Sequence, residues 1–409
     1  MTINISLLVL FLAFRTTADT ALTATAANLA AAVILRQEDV INTAYTAVSK
    51  LPTSLPYAVR RALGDLHHFG GAHVGCALSA LLWYILFTGL NTIRVLGLMK
   101  SGTATAILIV VIVTAYAALL AILLVCITAL PRFRVLFHNT FEATHRFGGW
   151  TAILVLWLHT GTSTLTPDAY TPLYIHPSLW LLILTTSLLI LPWLRIRRVP
   201  ITTHRLSPRE IQLTFPFADM PYTSTIRIST SPLTEWHAFA TIPVTSTRAA
   251  LLISAAGDWT TALSTTPPSH LWLRHPPTRN FLALAPLFKS LLLVATGAGI
   301  GPLLSLLASP GIQQRKRAQR GKVRVLWCVA EPEAPHWGFV LEAVRGVDKD
   351  ARVFDSRAGR PDVAFEARVL ALEEGVEAVM VVSNPKVTGE VVNGCKGVGI
   401  AAYGAVFDS

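Results

Sequence analysis

A glycine-rich turn between an apolar strand and a helix is the segment of this 409-residue sequence best suited to binding a nucleotide. In LLLVATGAGIGPLLSLL, Gly297, Gly299 and Gly301 follow the strand, and Pro302 opens the helix. Glycine lets the main chain approach a pyrophosphate closely, and the first turn of a helix presents unpaired N–H groups. The pattern predicts a dinucleotide site. A glycine turn that only packs a βα unit is the alternative.

Two histidines in an apolar helix form the second chemically promising feature. The segment HRFGGWTAILVLWLHT places His145 and His159 fourteen residues apart, which at about 100° per residue puts both rings on one helix face. Polar groups inside a membrane span are functional candidates. For His159, a hydrogen bond to a neighbouring helix is the alternative.

The first half of the chain is more apolar than an ordinary soluble protein. Mean hydropathy is +0.52 and only 14% of residues are charged. Apolar runs of about the length that a bilayer requires cover residues 72–93, 104–130, 147–166 and 178–194, with a weaker run at 21–35. The shorter run 5–14 is a signal-like segment, a further span paired with 21–35, or disordered. We expect five spans in a lipid bilayer.

The distribution of lysine and arginine predicts the orientation of these spans. Basic residues concentrate in the segments 36–61, 132–146 and 195–198, whereas the segment 167–177 has none. Because basic loops stay on the cytoplasmic side, everything after residue 195 is expected in the cytoplasm. No sorting signal indicates which membrane holds the protein.

The formal charge of +11 does not indicate a nucleic-acid partner. The arginines lie mostly beside hydrophobic runs, and no lysine-rich patch with interleaved aromatic residues is present. The four cysteines are far apart and lack metal-binding spacing, so we expect buried, reduced thiols.

The chain divides into three regions by sequence texture. Residues 1–200 hold the apolar runs. Residues 201–288 alternate apolar and polar positions between Pro and Ser/Thr clusters, which predicts a small antiparallel β-barrel or sandwich. Residues 289–409 alternate strand and helix patterns, which predicts a doubly wound α/β domain.

This order of membrane helices, small β domain and G-x-G-x-x-P turn resembles the ferric reductase and NADPH oxidase superfamily. The segments RRALGDLHHFGGAHVGC, NTFEATHRFGGW and the ending YGAVFDS resemble one branch of it, the fungal TmpA-like integral membrane flavoproteins. The resemblance implies a ferredoxin-reductase-like module behind the membrane helices. In that module the antiparallel β-barrel binds FAD and the doubly wound α/β domain binds NADPH or NADH.

The resemblance also implies flavin-binding residues in the β domain. The family carries a His-Pro-Phe-Thr segment there, and this chain has His237, Phe239 and Thr241 in SPLTEWHAFAT, with Ala238 in place of proline. Arg227 on the preceding strand is a candidate phosphate partner. An edge strand with an exposed histidine is the alternative.

Near the C-terminus, Ser383 and Asn384 stand where many family members have Cys-Gly-Pro beside the nicotinamide. Tyr403 and Phe407 match the terminal aromatic residues that cover the flavin. Packing in the protein core explains the two aromatic residues equally well.

The superfamily holds two haems between histidines on two helices. Here His68 and His145 are the candidate ligands of one haem iron. His159 has no histidine partner for a second haem in the predicted spans, because Leu81 and Leu82 occupy the matching position on the other helix.

These features predict a membrane-bound flavoprotein oxidoreductase that passes electrons from NAD(P)H to FAD at the cytoplasmic face. From FAD the electrons pass to an unknown acceptor, through a single haem if the protein binds haem. The alternative is a degenerate reductase that acts as a non-enzymatic membrane redox sensor or scaffold. The sequence does not distinguish NADH from NADPH and gives no oligomeric state.

Overall fold

The computed structural model describes residues 17–68, 70–102, 106–318 and 321–405. The chain forms two compact units, described separately below. The first comprises residues 1–37 and 69–194, and the second comprises residues 38–68 and 195–409. The short apolar run 5–14 lies outside the described residues.

Helices dominate the chain before residue 195, because long apolar runs with few glycines and prolines favour them. In chain order they are α1 (Ala18–Ile34), α2 (Glu38–Ser49), α3 (Tyr57–Gly64), α4 (Gly70–Lys100), α5 (Ala106–Thr128), α6 (Pro131–Leu136), α7 (His138–Ala143), α8 (Gly149–Ser163) and α9 (Pro177–Leu194). A 3₁₀ turn, Asp65–His68, follows α3, and a π-helical turn, Thr144–Gly148, precedes α8.

Fewer helices than expected have the length of a membrane span. Within the described residues, α4, α5 and α9 are long and apolar enough to cross a membrane. A fourth candidate arises if α1 and α2, which meet at a 64° bend, form one broken span. Helix α8 has 15 residues and α1 has 17, each short of the roughly 20 that a bilayer requires. The structure therefore does not show the predicted five-span membrane domain.

From residue 196 on, the second unit forms an antiparallel sheet, as the alternating pattern predicts. Its strands are β1 (Ile196–Pro200), β2 (Thr202–Arg205), β3 (Glu210–Pro216), β4 (Ser224–Ser229), β5 (His237–Thr245), β6 (Arg248–Ser254) and β7 (His270–Arg279), with helix α10 (Asp258–Thr265) before β7. They pair in the order β1-β7-β4-β5-β6-β3-β2. Ile211, Leu213, Ile226, Ile228 and Leu273 alternate along their strands and fill the buried inner side of this curled sheet.

A parallel sheet follows, and it confirms the doubly wound prediction. Its elements are β8 (Leu291–Thr296), α11 (Ile300–Leu307), α12 (Pro310–Arg317), β9 (Val323–Val329), α13 (Gly338–Val347), β10 (Arg352–Asp355), α14 (Val363–Glu373), β11 (Ala378–Val382), α15 (Pro385–Gly397) and β12 (Ala401–Gly404). The strand order is β10-β9-β8-β11-β12. Successive strands are added on one side of β8 up to β10 and then on its other side from β11, so the order reverses between β8 and β11. Ligands of such sheets bind at the carboxyl ends of the strands beside this reversal.

Residues 38–68 belong to the second unit and pack against its C-terminal part, although the sequence placed them in the region 1–200. The Arg60 side chain, only 3% exposed, makes two hydrogen bonds to the Glu377 carboxylate at 2.6 and 3.0 Å. It also donates to the carbonyl of Leu287 at 2.9 Å. The hydrogen bond to Glu377 raises the pKa of Arg60 despite its burial. Contacts over such sequence distances leave no periodic pattern in the sequence.

Candidate nucleotide-binding site

The glycine turn lies between β8 and α11 at the reversal of strand order. Gly297 has a φ of +52°, a left-handed conformation that glycine adopts without the steric penalty of a side chain. At Gly299, an added Cβ atom would lie 2.4 Å from the carbonyl oxygen of Val382 at the end of β11. These two glycines let the main chain turn tightly at the carboxyl edge of the sheet.

Gly301 lies where the first turn of α11 meets the antiparallel sheet. An added Cβ there would lie 3.1 Å from Cβ of Leu252 on β6. Gly301 therefore lets the first turn of α11 pack closely against the antiparallel sheet, and Pro302 follows within that turn. This contact is consistent with the alternative of a packing glycine, and a nucleotide-binding role for Gly301 stays a prediction.

Two hydroxyl groups meet beside the glycine turn. The side-chain oxygens of Thr296, which ends β8, and Ser383, which follows β11, lie 2.6 Å apart. Ser383 is buried, and its carbonyl accepts a hydrogen bond from the Thr388 hydroxyl. The Asn384 side chain accepts from the main-chain N–H of Val387 and caps α15. Ser383 thus lies at the edge where a dinucleotide would bind, whereas Asn384 stabilises the helix.

An acidic pair that the sequence reading missed lies at the ends of β9 and β10. Asp355 accepts hydrogen bonds from the main-chain N–H groups of Arg357 at 3.0 Å and Glu331 at 3.2 Å. The hydrogen bond from the Arg357 side chain is the main cause that lowers the pKa of Asp355 to about 2. Glu331 also pairs with Arg357. An acidic residue ending the second strand of a nucleotide-binding sheet is the signal that could have identified Glu331, since such residues bind ribose hydroxyls.

Three of the predicted flavin residues face the inside of the curled sheet. Thr241 is fully buried, and its hydroxyl lies 2.7 Å from that of Ser224. Phe239 packs against the buried core. The His237 ring stacks on Trp259 at 4.2 Å between centroids. Residues two apart on a strand share a face, and here that face is the interior. Thr241 is thus enclosed on this face, whereas His237 and Phe239 are partly buried there.

Arg227 lies on the opposite, outer face. It is paired with Arg274 across β4 and β7. The carboxylate of Glu38, 3% exposed at the start of α2, lies 2.9 Å from Nη2 of Arg274 and 3.6 Å from Nη1 of Arg227. Two adjacent arginines form an anion site. They fit a phosphate group of a flavin nucleotide, but Glu38 already supplies an anion there.

Tyr403 is a packing residue, as the alternative prediction had it. It is 2% exposed, and its hydroxyl donates to the carbonyl of Arg61 at 2.8 Å. Its ring lies so close to Gly64 that an added Cβ there would be 2.3 Å away. Phe407 lies outside the described residues.

The proposed haem ligands are not brought together within one unit. His68 belongs to the second unit, where its ring lies 3.9 Å from that of His67. His145 belongs to the first unit, where its ring lies 6.3 Å from that of His73 between centroids. The prediction of a haem therefore gains no support from these histidines.

His159 follows the alternative prediction of a helix-packing residue. It is 2% exposed on α8, and its Nδ1 lies 3.0 Å from the hydroxyl of Thr114 on α5. The ring also packs edge-on against Phe87 of α4 at 5.3 Å. A buried polar residue bonded across helices stabilises a bundle and needs no ligand.

A curled antiparallel sheet followed by a doubly wound parallel sheet is a ferredoxin-reductase-like module. Residues 281–409 match the family model described as "Adenylate-forming reductase 03009, C-terminal domain". Over 94% of its length the chain is 36% identical to adenylate-forming reductases 03009 and 06235 of Coprinopsis cinerea. It spans 37% of the length of each of these relatives.

Solved structures show a weaker likeness. A self-sufficient type IV cytochrome P450 monooxygenase is 16% identical, with a TM-score of 0.42 over 52% of this chain and 28% of its own. Ferredoxin-NADP⁺ reductase from Plasmodium falciparum is 11% identical, with a TM-score of 0.36 over 51% of this chain and 95% of its own. The fold assignment accordingly rests on the strand order observed here.

The resemblance to the ferric reductase and NADPH oxidase superfamily, and to its TmpA-like branch, is wrong. The relatives that match nearly the whole chain are adenylate-forming reductases. The motifs that carry the resemblance are short, and a strand, glycine turn and helix recur in many nucleotide-binding proteins.

Proposed function

We propose that this chain is an oxidoreductase that binds a nicotinamide dinucleotide at the carboxyl ends of β8 and β11. The observation that carries the proposal is the turn at Gly297 and Gly299, which lies against the end of β11 at the reversal of strand order. The similarity to adenylate-forming reductases supports it. The chain spans 37% of the length of those relatives. Of the two activities in their name, we assign only the reductase to this chain.

Each group at this edge has a distinct task in the proposal. The turn at Gly297 and the N–H groups opening α11 hold the pyrophosphate. The hydroxyls of Thr296 and Ser383 bind the polar end of the nicotinamide and fix its orientation. Glu331 accepts hydrogen bonds from ribose hydroxyls, which favours NADH, because a 2′-phosphate would be repelled by this carboxylate.

A flavin is the second cofactor in this proposal. When bound, FAD supplies an acceptor for hydride and a donor of single electrons to the final acceptor. On this chain, Arg227 and Arg274 are the residues that would hold its phosphate, after Glu38 leaves them. Phe239 and Thr241, on the inner face of the sheet, are not assigned to the flavin in this proposal.

A non-enzymatic role as a redox sensor or scaffold is the second candidate. The position of Glu38 favours it, because a carboxylate between the two arginines competes with a flavin phosphate. The two candidates differ in that only the oxidoreductase would catalyse repeated oxidation of the nucleotide.

The test is NADH and NADPH oxidation by the purified full chain in detergent, with added FAD and a soluble dye as electron acceptor. The oxidoreductase proposal predicts dye reduction that depends on both nucleotide and FAD. Tight nucleotide binding without any dye reduction would instead support the non-enzymatic role.

We also propose that α4, α5 and α9 lie in a lipid bilayer, with the second unit on the cytoplasmic side. Several large apolar side chains on these helices are more than half exposed, as expected for a surface that faces lipid. Examples are Ile93, Ile109, Val113, Leu120 and Trp180.

A further inference from the structure

Three potential metal ligands meet on the short turn between α3 and α4. Asp65, His67 and His68 lie on the 3₁₀ turn Asp65–His68. One ring nitrogen of each histidine and one carboxylate oxygen of Asp65 all lie within 4.8 Å of one another. All three residues belong to the second unit, so the cluster does not depend on the arrangement of the two units.

The His67 ring has the hydrogen-bonding pattern of a metal ligand. Its Nδ1 lies 2.9 Å from the carbonyl oxygen of Gly64. Because a carbonyl only accepts, Nδ1 carries the proton and donates, and Nε2 keeps its lone pair. Nε2 is buried and has no hydrogen-bond partner among the described residues. Histidine ligands of metals commonly donate their other ring N–H to a carbonyl in this way.

The turn that carries the cluster is held firmly against the parallel sheet. The Tyr403 hydroxyl bonds to the carbonyl of Arg61, and the Tyr403 ring leaves no space for a Cβ at Gly64. The His67 ring packs edge-on against Tyr403 at 5.8 Å. On the outer side, Nζ of Lys396 lies 3.3 Å from Oδ1 of Asp65. These contacts hold His67 and Asp65 in place without an ion.

We propose that Asp65, His67 and His68 bind a divalent transition-metal ion, with zinc as the reference ion. Two imidazole nitrogens and one carboxylate oxygen suit Zn²⁺, which takes nitrogen and oxygen ligands in tetrahedral sites. The ion satisfies the buried Nε2 of His67 and fixes the turn on Tyr403. This proposal is independent of the nucleotide site.

Zinc titration of the metal-free full chain in detergent tests the proposal, with a chromophoric chelator as competitor. We expect His67→Ala, His68→Ala and Asp65→Asn each to weaken zinc binding at least about tenfold. The matched control is His204→Ala on β2, an exposed histidine outside the cluster, which should bind zinc as the unchanged chain does. Failure of the unchanged chain to bind zinc, or equal affinity in all four variants, overturns the proposal.

A spectroscopic measurement covers the case in which His67→Ala does not fold. His68 is exposed and its ring contacts that of His67, so its replacement removes this contact but keeps the packing of His67 on Tyr403. Co²⁺ added to the unchanged chain should give visible absorption bands of imidazole coordination, and His68→Ala should lose or shift them. Identical Co²⁺ spectra for the two proteins would contradict the assignment.

Discussion

Glu38 decides whether the outer face of the antiparallel sheet can accept a second anion. Its carboxylate lies between Arg227 and Arg274, and both arginines are only partly exposed. A flavin phosphate would have to displace it. The sequence pointed to Arg227, but it could not reveal Glu38, because the two residues lie far apart in the chain and no pattern links them.

Replacing Glu38 with glutamine should strengthen FAD binding. The variant keeps the shape of the side chain and removes the competing charge, so we expect FAD affinity to rise roughly tenfold, about 1.4 kcal/mol. Flavin fluorescence during titration of the full chain measures this change.

The matched control is Asp39→Asn. It removes the same charge at the neighbouring position, whose carboxylate pairs with Arg195, and it should leave FAD affinity unchanged. If Glu38→Gln binds FAD no more tightly than this control does, Glu38 does not compete with the flavin.

At the level of elements, Arg60 is one of several residues that anchor α3 to the parallel sheet, beside Tyr57 and the bond from Tyr403 to Arg61. Its guanidinium bonds to the carboxylate of Glu377 and to the carbonyl of Leu287 at the same time. Loss of Arg60 leaves the Glu377 carboxylate, itself 22% exposed, without its main cation. The pair of Arg60 and Glu377 is therefore the charged part of this anchoring.

We expect Arg60→Met to destabilise α3 by about 3 kcal/mol, the lower end of the range for breaking a buried ion pair. Hydrogen–deuterium exchange of the full chain should show amides of α3 exchanging roughly a hundredfold faster, because local opening becomes easier. Arg345→Met is the control, since its ion pair with Glu333 is exposed and worth at most about 1 kcal/mol. Equal protection of α3 in both variants would show that Arg60 does not anchor it.

The sequence predicted the elements better than it predicted the faces that they bury. The alternation in REIQLTF gave β3, and the glycine turn gave the β8–α11 unit. The same alternation places His237 and Thr241 on one face, yet it does not say whether that face is inside. Only the closure of the sheet over Ile226 and Leu251 settles this, and that closure depends on residues from several strands.

At the scale of the whole molecule, the apolar helices of the first unit predict membrane association. Exposed leucine, isoleucine and valine side chains recur along these helices, and apolar surface of this kind often marks a membrane contact. The full chain expressed in cells should remain in the membrane pellet after alkaline carbonate treatment. Its release into the supernatant, alongside a peripheral protein used as control, would contradict the bilayer assignment.

The central claim is that the glycine turn at the ends of β8 and β11 binds a nicotinamide dinucleotide. At Gly299 a side chain would collide with the carbonyl of Val382, whereas at Gly394 on α15 an added Cβ meets nothing within 4 Å. Both Gly→Ala changes add one methyl group, so they form a matched pair.

Equilibrium binding of NADH and NADPH to the full chain, followed by nucleotide fluorescence, is the most direct test. We expect Gly299→Ala to weaken binding roughly tenfold or more, about 1.4 kcal/mol, while Gly394→Ala binds as the unchanged chain does. Equal affinities for the two variants, or no binding of either nucleotide to the unchanged chain, would contradict the claim.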